Sequence, residues 1–137
     1  MKRIGILTGG GDCPGLNAVI RAVVRRAVCG HGWEVLGIHD GFRGLVDGVV
    51  RPLSLADVHG LLTRGGTILG AANRANPFAW PTPEGPRDVS EQVLVRARKL
   101  ELDGILVVGG DGTMSIAAPL AARGLPILGV PKTIDND

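Results

Sequence analysis

Aromatic residues are scarce in this chain of 137 residues, which contains two tryptophans, two phenylalanines and no tyrosine. Few bulky side chains are therefore available as anchors, and Trp33 and Trp80 are expected to pack rather than to act as stacking platforms. The formal net charge of +2 is also small. Such a weak charge gives no argument for binding to nucleic acid or to a membrane surface.

Cysteines and long apolar runs are limited as well. The two cysteines, Cys13 and Cys29, form no C-x-x-C pair, which fits a reduced cytoplasmic location and does not indicate a zinc site. The apolar run Ile4–Leu7 is too short for a signal peptide. Nothing in the sequence approaches the roughly 20 apolar residues that a membrane-spanning helix needs.

Glycine, in contrast, is abundant, with 22 residues in a chain that is 45% apolar and 20% charged. This composition is typical of a globular domain with many tight backbone passages, and the length suffices to bury a core. Apolar runs predict strands over 3–8, 33–39, 104–108 and 126–130, with a short extended piece over 66–70. Helical spacing predicts helices over 16–28, 54–62, 90–102 and 114–123, with loops over 40–48 and 73–87.

Strands that alternate with helices indicate an α/β domain with a doubly wound, mostly parallel sheet and helices on both faces. In that architecture, ligands bind in loops at the carboxyl ends of the strands. Three polar loops fall at such ends: GGGDCPG (9–15), GGDGT (109–113) and PKTIDND (131–137).

The first loop matches neither of two common nucleotide motifs. Pro14 occupies the place of the third glycine of the dinucleotide-binding motif GxGxxG, and Leu16 stands where a Walker A loop has lysine. What remains is a glycine-rich turn leading into a helix N-terminus. It is either an anion site or an ordinary tight turn.

The second loop lies in the stretch VVGGDGT (107–113), where three glycines surround one acid. Gly109, Gly110 and Gly112 let the backbone approach a ligand closely, and Asp111 can hold Mg²⁺ directly or through water. In the alternative interpretation, Asp111 only caps the helix that follows. The strand–loop–helix context favours phosphate binding.

The third loop carries Lys132, Thr133, Asp135, Asn136 and Asp137. An ionised Asp135 or Asp137 can accept a proton from a hydroxyl, although both can equally be solvated turn residues. Together with the other two loops, this one places a base and a cation opposite a metal–phosphate site. That is the set of groups that phosphoryl transfer requires.

Two further groups of residues carry less information. Arg21 and Arg25 lie four residues apart on one helix face, where a solvated polar surface is the simpler interpretation. His31, His39 and His59 have no metal-binding spacing and are assigned no chemistry.

The segments GILTGGGDCPGLNAVIRAVVR, RGGTILG, GGDGT and PKTIDND occur in the order and approximate spacing of the phosphofructokinase family, which this chain resembles over essentially its whole length. The resemblance implies that residues 1–137 form the Rossmann-like N-terminal, phosphoryl-donor-binding part of a 6-phosphofructokinase, without its C-terminal substrate-binding part. Such a glycolytic enzyme uses Mg²⁺ and ATP to phosphorylate the 1-hydroxyl of fructose 6-phosphate, giving fructose 1,6-bisphosphate and ADP. The resemblance also implies a cytoplasmic, allosteric homotetramer.

The resemblance implies roles for the donor-side residues. Gly10 and Gly11 belong to the loop that contacts the ATP phosphates, and Asp111 is the Mg²⁺ residue. The remaining residues implied to line the nucleotide phosphates are Gly110, Gly112 and Thr113. The family arginine that reaches the phosphates after GTILG is assigned to Arg74, one residue beyond Asn73 at the ungapped position.

Further roles are implied on the acceptor side and at an effector site. Thr133, Ile134 and Asp135 face the sugar phosphate, and Asp135 is the base that takes the hydroxyl proton. Lys132 and Asp137 support the same site. Arg21 and Arg25 match positions that help bind a nucleotide effector in allosteric bacterial members of the family.

The phosphoryl donor depends on two positions. Pyrophosphate-using members have an acid at position 112, which would crowd and repel the α-phosphate of ATP, and a lysine at position 132. This chain combines Gly112 with Lys132. Because steric exclusion is the harder constraint, ATP is favoured and pyrophosphate is the alternative.

Two other interpretations compete with a phosphofructokinase. GGDGT also marks NAD kinases and lipid kinases, but these do not explain GGGDCPG or PKTIDND. The chain stops at the polar loop PKTIDND, directly after a predicted strand, which suggests a piece of a longer protein. A catalytically inactive fragment or a phosphate- or nucleotide-binding module is therefore the other alternative. We expect the 137 residues alone not to turn over.

Overall fold

Short apolar segments form a central five-stranded sheet in the computed structural model, which describes residues 2–9, 15–60, 67–70 and 76–131. The sheet contains β1 (Arg3–Thr8), β2 (Glu34–Ile38), β3 (Val50–Leu53), β6 (Gly104–Gly109) and β7 (Ile127–Pro131), and a separate hairpin contains β4 (Trp80–Thr82) and β5 (Gly85–Arg87). The helices are α1 (Leu16–Arg25), α2 (Arg43–Asp47), α3 (Leu55–Val58), α4 (Ser90–Lys99) and α5 (Asp111–Ala122).

The strand order in the sheet is β3-β2-β1-β6-β7. β1 pairs in parallel with both β2 and β6, β6 pairs in parallel with β7, and β3 is an antiparallel edge strand. From β1 the chain proceeds to β2 on one side, whereas β6 and β7 lie on the other side. The strand order therefore reverses between β1 and β6, which is the switch point where ligands bind in sheets of this type.

Helices cover both faces of the sheet, because side chains of successive strand residues point to opposite faces. Ile4 and Ile6 of β1 pack with residues of α1 and α3 in one apolar cluster. Leu7 of β1 and Ile105 of β6 pack with residues of α2, α4 and α5 in the other. The predicted α/β fold with a mostly parallel sheet and helices on both faces is confirmed. Among the described residues, no helix has the length and apolar character needed to cross a membrane.

The strands predicted over 3–8, 33–39, 104–108 and 126–130 are confirmed to within two residues at their ends. The helix predicted over 16–28 is α1 followed by a π-helical turn, Arg26–Gly30. The helix predicted over 54–62 is shorter, and Ser54 caps it as expected. Pro119 lies inside α5, whose helical assignment continues through it.

The prediction of a loop over 40–48 is wrong, since α2 spans Arg43–Asp47. Glycines suggested a loop, but Phe42, Leu45 and Val46 have helical spacing and are buried in the core. The antiparallel strand β3 was not predicted. Its Arg51 and Pro52 are exposed, as is common on an edge strand.

Three further predictions need correction. The proline-rich segment 73–87 contains the β4–β5 hairpin, in which Pro81 pairs with Pro86. Thr67–Gly70 form a turn rather than an extended piece, because Leu69 folds inward and is buried. The last predicted helix begins at Asp111 instead of Met114, so the acid of GGDGT belongs to the helix itself.

Candidate active site

The loops after β1 and β6 leave the sheet side by side at the switch point. Thr8 pairs with Val108 in the sheet register, and the Gly9 N–H donates a hydrogen bond of 2.9 Å to the Val108 carbonyl oxygen. β7 continues on the far side of β6 to Pro131. The three strands that precede the polar loops are therefore neighbours in the sheet.

The close approach of the first two loops depends on two glycines that face Thr113. A Cβ at Gly9 would lie 2.5 Å from the Thr113 Oγ1, and one at Gly109 would lie 2.7 Å from the Thr113 Cβ. The Thr113 side chain is buried between them, at 7% exposure. Any larger residue at either glycine would push α5 away from the ends of β1 and β6.

Two helices, α5 and α1, begin at this crevice. The Met114 N–H donates to the Gly110 carbonyl oxygen at 3.0 Å, and the Val19 N–H donates to the Gly15 carbonyl oxygen at 3.0 Å. These are the first backbone bonds of α5 and α1, so the preceding amides of each first turn have no acceptor within the helix. Together with the helix dipoles, they make this end of the sheet attractive to an anion.

Asp111 is the first residue of α5, and its side chain is exposed. Gly110 occupies the N-cap position, and within the described part of the chain no side chain caps this helix. The alternative in which Asp111 serves as the cap is therefore not what the structure has. Among the described residues no group of three acids, histidines or cysteines is placed to hold a metal. A single exposed carboxylate still fits Mg²⁺, which takes one or two carboxylates and completes its shell with phosphate and water oxygens.

Gly112 follows Asp111 in the first turn of α5, and packing gives no reason for its glycine. A Cβ built at this position meets no atom of the described residues within 4 Å. This contrasts with Gly9 and Gly109, where the backbone approaches Thr113 closely. The space beside Gly112 is open and adjoins the amides of the helix start.

Sequence reasoning missed three polar residues at the crevice: Thr8, Asn17 and Thr67. Thr8 ends an apolar strand, and Asn17 lies on the buried face of α1. A polar residue at a position where a helix or strand otherwise carries apolar residues indicates a buried polar contact, because buried polar groups need hydrogen-bond partners. Those partners lie about 50 to 60 residues away in sequence, so only the fold identifies them.

Several predicted site residues lie outside the described residues. They are Gly10 and Gly11 of the first loop, Arg74, and the acceptor-side residues Lys132, Thr133, Ile134, Asp135 and Asp137. Of the predicted donor-side residues, the structure brings Gly110, Asp111, Gly112 and Thr113 together at the start of α5.

Arg21 and Arg25 share a face of α1, as predicted, and face α3 rather than open solvent alone. They line a cavity of about 270 Å³ together with Cys29, Leu55, Val58 and His59. Trp33 stacks on His31 with ring centroids 4.7 Å apart, and both Trp33 and Trp80 contact the apolar clusters. The packing role expected of the tryptophans is confirmed.

Comparison with known proteins decides the family. The family model described as phosphofructokinase matches residues 3–137. The chain belongs to the phosphofructokinase family. The resemblance inferred from the three loops is thereby confirmed over essentially the whole chain.

Individual phosphofructokinases match with high identity but only in part of their length. ATP-dependent 6-phosphofructokinase 3 of Streptomyces coelicolor is 53% identical over 98% of this chain and 38% of its own length. The pyrophosphate–fructose 6-phosphate 1-phosphotransferase of Amycolatopsis methanolica is 50% identical over 98% of this chain and 38% of its own length. The chain thus spans about two fifths of these relatives, and overall identity does not separate the two donor types.

The fold comparison agrees with the family. The crystal structure of Pichia pastoris phosphofructokinase in the T-state superposes with a TM-score of 0.83 at 30% identity. The match covers 98% of this chain and 16% of that chain.

Proposed function

We propose that this chain is the phosphoryl-donor-binding part of an ATP-dependent 6-phosphofructokinase. The observation that carries the proposal is the convergence of two glycine-rich loops and two helix N-termini at the switch point, with Asp111 in the first turn of α5. The enzyme transfers the γ-phosphoryl group of ATP to the 1-hydroxyl of fructose 6-phosphate, forming fructose 1,6-bisphosphate and ADP.

The described residues have defined roles in this proposal. The amides at the start of α5 bind the donor phosphates, and the buried Thr113 keeps that helix start against Gly9 and Gly109. Asp111 holds Mg²⁺ through its exposed carboxylate. When bound, the metal neutralises charge on the transferring phosphoryl group, which is a main source of rate in such reactions.

The residues outside the described part complete the proposed site. Gly10 and Gly11 contact the ATP phosphates, and Arg74 adds positive charge beside them. Asp135 accepts the proton of the 1-hydroxyl as its oxygen attacks the γ-phosphorus and the bond to the ADP oxygen breaks. Thr133 and Ile134 face the sugar phosphate with Asp135, while Lys132 and Asp137 support the same reaction.

The choice of ATP is supported by Gly112. An acid at this position would occupy the space beside the helix amides, whereas the glycine leaves it open. Pyrophosphate is the second candidate donor. It is favoured by Lys132 and by the 50% identity to a relative named as a pyrophosphate-dependent enzyme.

The remaining proposals concern the complete protein. It is a cytoplasmic, glycolytic homotetramer with no nucleic-acid or membrane partner. A nucleotide effector binds at the cavity lined by Arg21 and Arg25, which supply positive charge beside α3.

The central test is a donor comparison on the full-length gene product. We expect fructose 1,6-bisphosphate to form with Mg²⁺ and ATP. Product from pyrophosphate alone would select the second candidate, and no product from either donor would overturn the proposed function.

A matched pair of variants tests the role of Asp111. Asp111→Asn should lower kcat on the order of a hundredfold or more, because the metal loses its charged protein ligand. Asp103→Asn is the control. It makes the same change just before β6, at the opposite end of that strand, and keeps an acceptor for the Arg3 N–H that Asp103 binds at 2.9 Å. Equal activity of the two variants would contradict the assignment.

A further inference from the structure

Two polar side chains flank the first glycine-rich loop, and both are almost completely buried. Thr8 is the last residue before the loop and has 0% exposure, and Asn17 follows it in the first turn of α1 with 2% exposure. Ile6, two residues before Thr8 on β1, and Ile20, three residues after Asn17 on α1, belong to one apolar cluster. Burial of such groups is costly unless each has a hydrogen-bond partner.

Both side chains bind the same turn, Thr67–Gly70. The Thr8 Oγ1 lies 3.0 Å from the Thr67 Oγ1 and donates to the Gly70 carbonyl oxygen at 2.9 Å. The Asn17 Oδ1 accepts a bond of 2.8 Å from the Ile68 N–H. The turn is thus tied to the end of β1 and to the start of α1.

The turn is also anchored at the end of β2. The Asp40 N–H donates to the Leu69 carbonyl oxygen at 2.8 Å, and the Leu69 side chain has 1% exposure. The Leu69 N–H donates to the Thr67 Oγ1 at 3.2 Å, which closes the turn on itself. A buried polar network in which each member is bonded specifies one arrangement of the elements that it joins.

We propose that Thr8 and Asn17 are positioning residues for the phosphoryl donor. By binding one common turn, they hold the two ends of the glycine loop in place. The α1 N-terminus then keeps a constant distance from the α5 N-terminus, and the amides of both helices can bind one polyphosphate. This inference rests on the proposed function, because it assigns the polyphosphate to the donor of that reaction.

The test compares Thr8→Val with Thr8→Ser in the full-length protein. Valine keeps the shape of threonine but removes the donor to the Gly70 oxygen, whereas serine keeps the hydroxyl. With valine, we expect the KM for the donor to rise and kcat to fall, each roughly tenfold, since small displacements of positioning groups have effects of that order or larger. The KM for fructose 6-phosphate should stay unchanged, and serine should restore wild-type values.

A purely structural role would give a different pattern. Partial unfolding lowers the amount of active enzyme and therefore kcat, but it changes neither KM. Thr82→Val is the matched control, because the Thr82 Oγ1 donates to the Gly85 carbonyl oxygen at 2.6 Å within the β4–β5 hairpin. The inference is overturned if Thr8→Val leaves the donor KM unchanged, or if Thr82→Val raises it equally.

A double-variant cycle tests whether Asn17 acts through the same turn. If it does, Asn17→Leu raises the donor KM, and combining it with Thr8→Val adds little further change. If the changes in the donor KM from the two single variants multiply fully in the double variant, the two residues act independently, and the shared role is overturned.

Binding measurements separate this inference from the proposed function. If the wild-type protein transfers no phosphoryl group from ATP or pyrophosphate, the proposed function fails. In that case, calorimetric titration with Mg-ATP and with Mg-pyrophosphate measures binding affinity and tests the positioning role separately. Weaker binding by Thr8→Val than by Thr8→Ser supports that role, and equal binding, or no binding by the wild type, overturns it.

Discussion

At the scale of single residues, the glycines of the two loops are required for different physical reasons. Gly9 and Gly109 lie against the buried Thr113, where a Cβ would come within 2.5 and 2.7 Å of its atoms. Gly112 lies in the same region, but a Cβ there comes within 4 Å of no atom in the part of the chain that the structure describes. Packing explains the first two, and ligand access is the proposed reason for the third.

This difference predicts opposite effects of alanine on stability. Gly109→Ala should lower the free energy of unfolding by roughly 1–3 kcal/mol, because α5 must shift to relieve the contact. Gly112→Ala should be neutral or should raise it by up to about 1 kcal/mol, because alanine has the higher helix propensity. Chemical denaturation of the two variants measures both values. Equal destabilisation would contradict the distinction.

Gly112→Asp tests the donor choice. The open space allows the variant to fold, while the new carboxylate repels the α-phosphate of ATP. We expect kcat/KM for ATP to fall at least tenfold, with Gly112→Ala as the uncharged control. Steady-state kinetics with ATP and with pyrophosphate measure the effect. Undiminished use of ATP would show that Gly112 is not the determinant.

At the scale of secondary structure, the short helix α3 depends on its first turn. The Ser54 Oγ accepts a 3.4 Å bond from the Asp57 N–H, and the Asp57 Oδ2 accepts a 2.7 Å bond from the Ser54 N–H. Each side chain thus satisfies a backbone donor of the other residue. The backbone hydrogen bond from Ser54, helped by that from its hydroxyl and by the charge of Arg51, lowers the pKa of Asp57.

The lowered pKa predicts how stability depends on pH. A carboxyl whose pKa is lower in the folded state stabilises the fold above its unfolded pKa of about 3.9, and the effect disappears as the pH falls through the folded value. The wild-type protein should therefore be more stable than Asp57→Asn at neutral pH. The difference between their free energies of unfolding should narrow below about pH 4. Denaturation curves of both proteins from pH 7 to pH 3 measure this difference. A difference that stays constant over this range would contradict the prediction.

A similar pair, Asp88 and Ser90, lies at the start of α4. The Ser90 N–H and Oγ donate to the Asp88 Oδ1 at 2.9 and 2.6 Å. The hydroxyl bond, followed by the backbone bond, lowers the pKa of Asp88. Ser90 also accepts a bond from Arg123, so the start of α4 is tied to the chain just after α5.

At the scale of the whole molecule, the sheet face that carries α1 is left partly exposed at its β7 edge by the described residues. Leu106 pairs with Leu128, and Val108 pairs with Val130, on the same sheet face as α1. Leu128 is nevertheless 63% exposed. Parallel sheets are normally covered on both faces, so the exposed Leu128 at the β7 edge departs from the usual pattern.

The partial coverage of the relatives leads to a prediction for residues 1–137 alone. The chain spans 38% of the length of the two relatives described above. On the proposed function, groups that hold the rest of the sugar phosphate lie in the part of the relatives that this chain does not match. We expect no fructose 6-phosphate-dependent consumption of ATP by the isolated chain in a coupled assay, in contrast to the full-length product. Measurable turnover would contradict this.

The sequence by itself determined the α/β class, the four main parallel strands and the position of glycine-rich loops directly after strands. It did so because strand and helix periodicity and glycine turns are local properties of the chain. Prediction from local composition was wrong for α2 and for the β4–β5 hairpin, because glycines and prolines there suggested loops. There, burial of Phe42, Leu45 and Val46 and pairing across the hairpin outweighed local preference.

Only the tertiary structure decided which distant residues meet at the crevice. The antiparallel edge strand β3, the packing of Thr113 against Gly9 and the contacts of Thr8 and Asn17 with the turn Thr67–Gly70 all join residues far apart in sequence. Such contacts depend on the order of strands in the sheet and on close packing between elements, and no local pattern encodes either.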